Sequence, residues 1–341
     1  MAINYQKRLE NIQNRRFDKE LNESVLSKSF SSSSIPQNVK YLMESMRKID
    51  SKYNDRTIEA AERVKKHLED NLKLNFARAY RTQGSVRTFT NIKVHSDFDL
   101  LTIIDRYHYL GHGLENKNPY NDSDPNSDII SLRSQSETIM EDIYDEVDKT
   151  GAKSIAIFNK SLNRKVDIVF CFWLNTKDFE DSGNEYYRGV YLYNFHEKRK
   201  IKDYPFAHIS QVNVKGDNTN DGSRKCIRLL KTLKADSDND IDLSSFHLTT
   251  IVHSIENSKV YYTTGNELQL AIETSREIEK LISDSTYRKA VKSPNGTEKP
   301  FEKDEVVPEL RKLKADLDAL ILDVSKEAYY SYFSKGQMIY S

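Results

Sequence analysis

Cysteine is nearly missing from this chain. Cys171 and Cys226 are the only two among 341 residues, and each sits in an apolar context. Two thiols so placed exclude a disulfide framework and a cysteine zinc site, and read as buried thiols of a reducing cytosol. An excess of either charge is missing too. Lys plus Arg and Asp plus Glu stand at 52 each, a formal net charge of zero. No global positive field draws in nucleic acid, so any contact with a phosphate backbone must be local. No apolar run is long enough to cross a bilayer, and Met1 is followed by polar sequence without a signal-peptide core. The expectation is a soluble, cytoplasmic protein. No internal repeat is present, which excludes a solenoid. What remains is a chain 37% hydrophobic, long enough for one large or two modest cores.

The most informative stretch is 83–104, QGSVRTFTNIKVHSDFDLLTII. Gly84-Ser85 is followed after eleven residues by Asp97-Phe98-Asp99, then by Leu100, Leu101, Ile103 and Ile104. The second half reads as a strand entering a core. Residues two apart on a strand share a face, so Asp97 and Asp99 point together while Phe98 and Leu100 face the core. Adjacent carboxylates repel unless a cation lies between them. Mg²⁺ suits such a place, taking oxygen ligands from one or two carboxylates and from substrate phosphates. Upstream, Gly84 lets the backbone approach a phosphate closely, and the Ser85 hydroxyl and nearby N–H groups can donate to it. Alone, a Gly-Ser is usually a turn and an Asp-x-Asp usually an exposed strand end. Their combination ahead of an apolar strand points to a phosphate and metal site.

A third acid lies in RKVDIVFCFW, residues 164–173. A lone Asp167 in an apolar strand is costly unless paired or metal-bound; the plain alternative is a strand-edge Asp facing water. Should this strand lie beside the first, three carboxylates converge, enough for two metal ions.

Gly-Ser, then Asp-h-Asp, then a distant h-Asp-h strand resembles the polymerase-β-type nucleotidyltransferase superfamily, and within it the bacterial cGAS/DncV-like nucleotidyltransferases. The resemblance covers roughly 36–290. It implies an α+β fold: a nucleotidyltransferase core with a mixed sheet, a long N-terminal brace helix and a C-terminal helical lobe. It also implies synthesis of a cyclic oligonucleotide second messenger from NTPs in anti-phage defence, with a separate effector protein reading the product. Asp97, Asp99 and Asp167 would hold two Mg²⁺ ions, with Mn²⁺ as a substitute. Gln83, Gly84 and Ser85 would bind the nucleotide. On the lobe helix RLLKTLK, Lys231 is the best match for a triphosphate contact, with Arg228 a second. The same core also serves enzymes that add nucleotides to an RNA end, a protein or a small-molecule hydroxyl, and a non-catalytic nucleotide or RNA sensor could retain it.

The remaining chain divides at 35 and 203: a helical arm and Ser-rich linker, the core at 36–203, and the lobe at 204–341. Helical spacing is expected over 36–74 with a weak point at Tyr53-Asn54-Asp55. Residues 105–128 read as a surface loop holding His108 and His112, and 132–147 as a helix. Strands are expected at 154–158, 165–174 and 189–195. In the lobe, 215–222 reads as a polar turn, and a helix follows at 223–234. Its wheel sets Arg224, Arg228 and Lys231 opposite Cys226, Leu229, Leu230 and Leu233, which for an arbitrary helix means a solvated basic face. His247 and His253 read as packing histidines, and 292–305 as a mobile charged loop. Lys198-Arg199-Lys200-Ile201-Lys202 and Arg15-Arg16 are ordinary surface charge or patches for an activating RNA.

Overall fold

A computed structural model describes residues 3–16, 35–96, 98–114 and 123–339, with side chains through 327. The chain forms two compact units: Met1–Ile49, Phe89–Val94 and Gln211–Ser341 make one, Asp50–Thr88 and His95–Ser210 the other. The boundaries drawn at 35 and 203 differ from this division. The first helix, Tyr5–Arg16, belongs to the helical unit because Leu9 and Ile12 are buried in the same core as Leu229, Leu230 and Leu233.

The second unit is built on one mixed sheet. Its strands are β1 (Arg78–Gln83), β2 (Asp99–Leu110), β3 (Val147–Asp148), β4 (Ser154–Asn159), β5 (Arg164–Asn175), β6 (Gly189–Asn194) and β7 (Arg199–Asp203). β2 and β5 pair in parallel at its centre, and the other pairings are antiparallel. Period-two alternation divides the centre cleanly. Phe98, Leu100, Ile104, Ile168, Phe170 and Phe172 face one core, where Ala61, Val64 and Leu68 of the helix Ser51–Asn71 and Leu132 of the helix Pro125–Ile143 also pack. Leu101, Ile103, Val169, Cys171 and Trp173 face a smaller core on the other side.

Several boundaries differ from the sequence expectation, each for a local reason. The helix expected over 36–74 is two helices, Gln37–Met46 and Ser51–Asn71. Arg47 is extended, and the Asp50 side chain caps the second helix by accepting from Lys52 N. The supposed weak point lies inside that second helix, where Tyr53 is buried and Thr57 Oγ1 accepts from the buried Arg164. β2 continues to Leu110 because Tyr107 and Tyr109 set their ring edges against Phe172. His108 is in this strand, 3.0 Å from Asp105, and His112 is exposed. The following helix starts at Pro125, with Asp124 accepting from Asn126 N and Ser127 N; 115–122 lie outside the described residues.

In the helical unit, the helix Pro205–Asn218 takes the first half of the expected turn at 215–222, and the turn itself is 219–221. Gly216 is there for space: a Cβ would sit 2.2 Å from the Arg224 guanidinium carbon. The helix Gly222–Asp236 follows, then Ser245–Ser254, Glu267–Ser283 and Val306–Ile339. His247 closes a capping box with Ser244, and burial pushes His253 down to about 4, so both are packing residues. The segment 292–305 is pinned: Phe301 is fully buried and Ser293 N donates to Glu298 O. Both thiols are buried and unpaired with each other. Among the described residues, no helix is long and apolar enough to cross a membrane.

Candidate active site

The site begins with one row across the sheet. Gln83 closes β1 opposite Asp99, and Asp99 lies opposite Asp167 on the parallel neighbour. Asp167 N donates to Phe98 O at 3.0 Å, which locks the register. Adjacent strands lie about 4.8 Å apart, so the two carboxylates stand side by side. They share the face of Leu101, Ile103, Val169 and Cys171, whose core makes a rigid floor for them. Gln83 Nε2 donates to Asp99 Oδ2 at 2.8 Å. Lys165 Nζ lies 3.1 and 3.2 Å from the two oxygens of Asp167.

These residues fit a bound cation. The Asp167 side chain is only 14% exposed, and an ammonium already stands against both its oxygens, where positive charge is wanted. Lys165 itself is half exposed, so displacing it costs little. Lys165 was not singled out from sequence, although its place two residues before Asp167 on a strand puts it on the same face. Among the described residues, no group of three His, Cys, Asp or Glu side chains could hold a metal. Asp97, the first of the three expected acids, lies outside the described residues.

β1 runs directly into a turn. Gly84 takes φ 114°, a backbone that glycine adopts without strain. Arg87 N donates to Gly84 O at 3.1 Å, and Thr88 Oγ1 donates to Ser85 O at 3.2 Å. Gln83, Asp99 and Asp167 are thus brought together, with Gly84 and Ser85 next along the chain.

The expected lobe residues lie in the helical unit, and their face of the helix is not solvated. Arg228 is 1% exposed and donates to Met46 O, Phe89 O and Asp221 Oδ2 at 2.7, 2.7 and 2.6 Å. Arg224 is held by Asn213 and Asp217. Lys231 donates to Thr90 O and Oγ1 at 3.2 and 3.3 Å. Burial, with the Arg228 charge adding to it, pushes this lysine down to about 8. Three donors committed to acceptors within its own unit make the buried Arg228 an anchor there. Of the basic patches suggested for RNA, Arg15 pairs with Asp236 and Arg16 with Glu44, which removes both from any such surface. Arg199–Asp203 is β7, with Lys200 Nζ 4.9 Å from the centre of the Tyr109 ring.

No family model matches the chain. Curated relatives do. The chain is 34% identical over 296 residues to a cyclic dinucleotide synthase, CdnE, of Yersinia aleksiciae, covering 85% of this chain and 77% of the relative. It is 33% identical over 335 residues to a c-di-GMP synthase of Capnocytophaga granulosa, covering 89% and 92%. This chain belongs to the CdnE cyclic dinucleotide synthases of the cGAS/DncV-like family. The solved structure of the STING-associated CdnE c-di-GMP synthase from Capnocytophaga granulosa matches with a TM-score of 0.80 at 31% identity, over 95% of this chain and all of that one. The CdnE assignment makes the protein a nucleotidyltransferase with a polymerase-β-like fold.

Proposed function

We propose that this CdnE makes cyclic di-GMP from GTP by two metal-dependent nucleotidyl transfers at the Asp99–Asp167 pair. The register of Asp99 opposite Asp167 carries the reaction assignment. The choice of base is supported by 33% identity to a c-di-GMP synthase across 92% of that enzyme. In each transfer a ribose hydroxyl attacks the α-phosphate of a GTP-derived triphosphate. One phosphodiester bond forms and one pyrophosphate leaves, so two GTP give one ring and two pyrophosphates. Asp97, Asp99 and Asp167 would hold two Mg²⁺, or Mn²⁺. Bound there, the ions would supply neutralisation of the reacting phosphate and activation of the hydroxyl. Gln83 orients the Asp99 carboxylate. Gly84 and Ser85 hold the β- and γ-phosphates, and Asp167 helps accept the hydroxyl proton. Lys231 neutralises triphosphate oxygens. For the biological role we propose anti-phage defence, with a separate effector protein reading the product.

The test is labelled GTP with Mg²⁺ or Mn²⁺, the product identified by phosphatase resistance and mass. Cyclic di-GMP is expected from GTP alone, and none from Asp97→Ala/Asp99→Ala. A ring needing a second NTP would overturn the base choice. RNA extension or a nucleotide linked to protein would overturn the cyclase assignment.

A pH dependence follows from Lys231. Its cationic form attracts phosphate and is lost as pH rises through about 8. The KM for GTP is therefore expected to rise about tenfold between about pH 7 and 9. Lys231→Met should start at a high KM and show a flat profile. A wild-type KM that does not move over that range excludes the lysine from triphosphate binding.

A further inference from the structure

Lys165 brings a charge to the reaction centre that the transfer itself does not use. It lies on β5 two residues before Asp167, on the same face of the sheet. Its Nζ is 3.1 Å from one Asp167 oxygen and 3.2 Å from the other. The ammonium therefore straddles the carboxylate instead of resting on one oxygen. The two acids of the pair are treated differently. Asp99 accepts from a neutral amide, Gln83 Nε2, whereas Asp167 accepts from a cation. The Asp167 side chain is sheltered, while that of Lys165 is half exposed. The lysine can thus leave by rotating its flexible four-carbon stem, with no change in the backbone of β5.

We propose that Lys165 is an internal counter-ion, holding the metal position on Asp167 so that a divalent cation enters with the triphosphate rather than ahead of it. This rests on the reading that Asp99 and Asp167 hold the metal. While Lys165 stays on Asp167, its charge repels a second cation from the same oxygens. A triphosphate shifts that balance in two ways. Its negative charge outweighs that of the displaced lysine, and its oxygens offer the released ammonium new charge-assisted hydrogen bonds. Without substrate, Lys165 offsets the repulsion between the neighbouring carboxylates and no resident ion is needed.

The test is calorimetric binding to the whole enzyme of Mn²⁺ alone, and of Mn²⁺ complexed beforehand with a non-hydrolysable GTP analogue. Lys165→Met keeps the length of the stem and removes the charge. It is expected to bind Mn²⁺ alone about tenfold more tightly than wild type, the lower end of what an outer partner of a metal ligand is worth. The complex should bind the two proteins within about threefold of each other, because the lysine that opposes the ion also gains the phosphates. Lys165→Arg, which keeps the charge, should stay within about threefold of wild type for Mn²⁺ alone. No gain for Lys165→Met, or a gain that persists undiminished with the complex, would overturn the counter-ion. Asp167→Asn separates this from the reading beneath it. Wild-type affinity for Mn²⁺ in Asp167→Asn overturns the metal site, and the counter-ion with it. Loss of Mn²⁺ by Asp167→Asn beside wild-type affinity in Lys165→Met overturns the counter-ion alone.

Discussion

Asp99→Asn and Asp167→Asn are each expected to lower the rate of cyclic dinucleotide formation by at least about a thousandfold while leaving the protein folded. Loss of an outer partner of a metal ligand already costs about 10- to 100-fold in affinity or activity, so loss of a carboxylate ligand should exceed that. The fold should survive because neither carboxylate is part of a core. Each accepts from a neighbouring side chain, Gln83 or Lys165, at the edge of a small apolar floor. Removing one charge also relieves the repulsion between neighbours on adjacent strands. The metal-free thermal midpoint should hold or rise slightly, and the stabilisation that Mg²⁺ gives the wild type should vanish. Activity within about tenfold of wild type would show that the pair does not carry the chemistry.

The second large effect concerns stability. Asp236→Ala is expected to destabilise the helical unit by about 3–5 kcal/mol, a drop in thermal midpoint of about 10 °C. The Asp236 side chain is fully buried and accepts from both Nη atoms of Arg15, at 2.5 and 3.0 Å. It also accepts from Tyr41 OH at 3.0 Å and Asn11 Nδ2 at 3.2 Å. Truncation strands Arg15 and Asn11, which fastened the helix Tyr5–Arg16 to the end of Gly222–Asp236, and Tyr41 of the helix Gln37–Met46. Arg15→Ala should cost less, because that side chain is 19% exposed and Asp236 keeps its other donors. A loss under about 1 kcal/mol for Asp236→Ala, read by calorimetry, would mean that Asp236 adds little to the hold on the N-terminal helix.

Much of the sheet unit was legible because its code is local. Alternation placed Asp99 with Leu101 and set Phe98 on the other face, and the β-prone run around Asp167 was plain. The step that makes a site, Asp99 opposite Asp167, is a register between strands 68 positions apart in number. No local period encodes it; resemblance to a family supplied it. Other misreadings have the same root. Residues 105–110 look like a loop until Phe172, far along the chain, receives Tyr107 and Tyr109. Gly216 reads as a turn residue, yet it makes room for Arg224. Arg228 lies on the polar side of a helical wheel and is buried because Met46, Phe89 and Asp221 close over it. A wheel reports which residues share a face, not what covers that face.

The most direct measurement is the anomalous signal from crystals grown with Mn²⁺ and a non-hydrolysable GTP analogue. Mn²⁺ is predicted at about 2.1 Å from carboxylate oxygens of both Asp99 and Asp167, with the analogue's phosphates completing the coordination. Mn²⁺ absent from that pair while the analogue is bound, or bound through other side chains, would contradict the account.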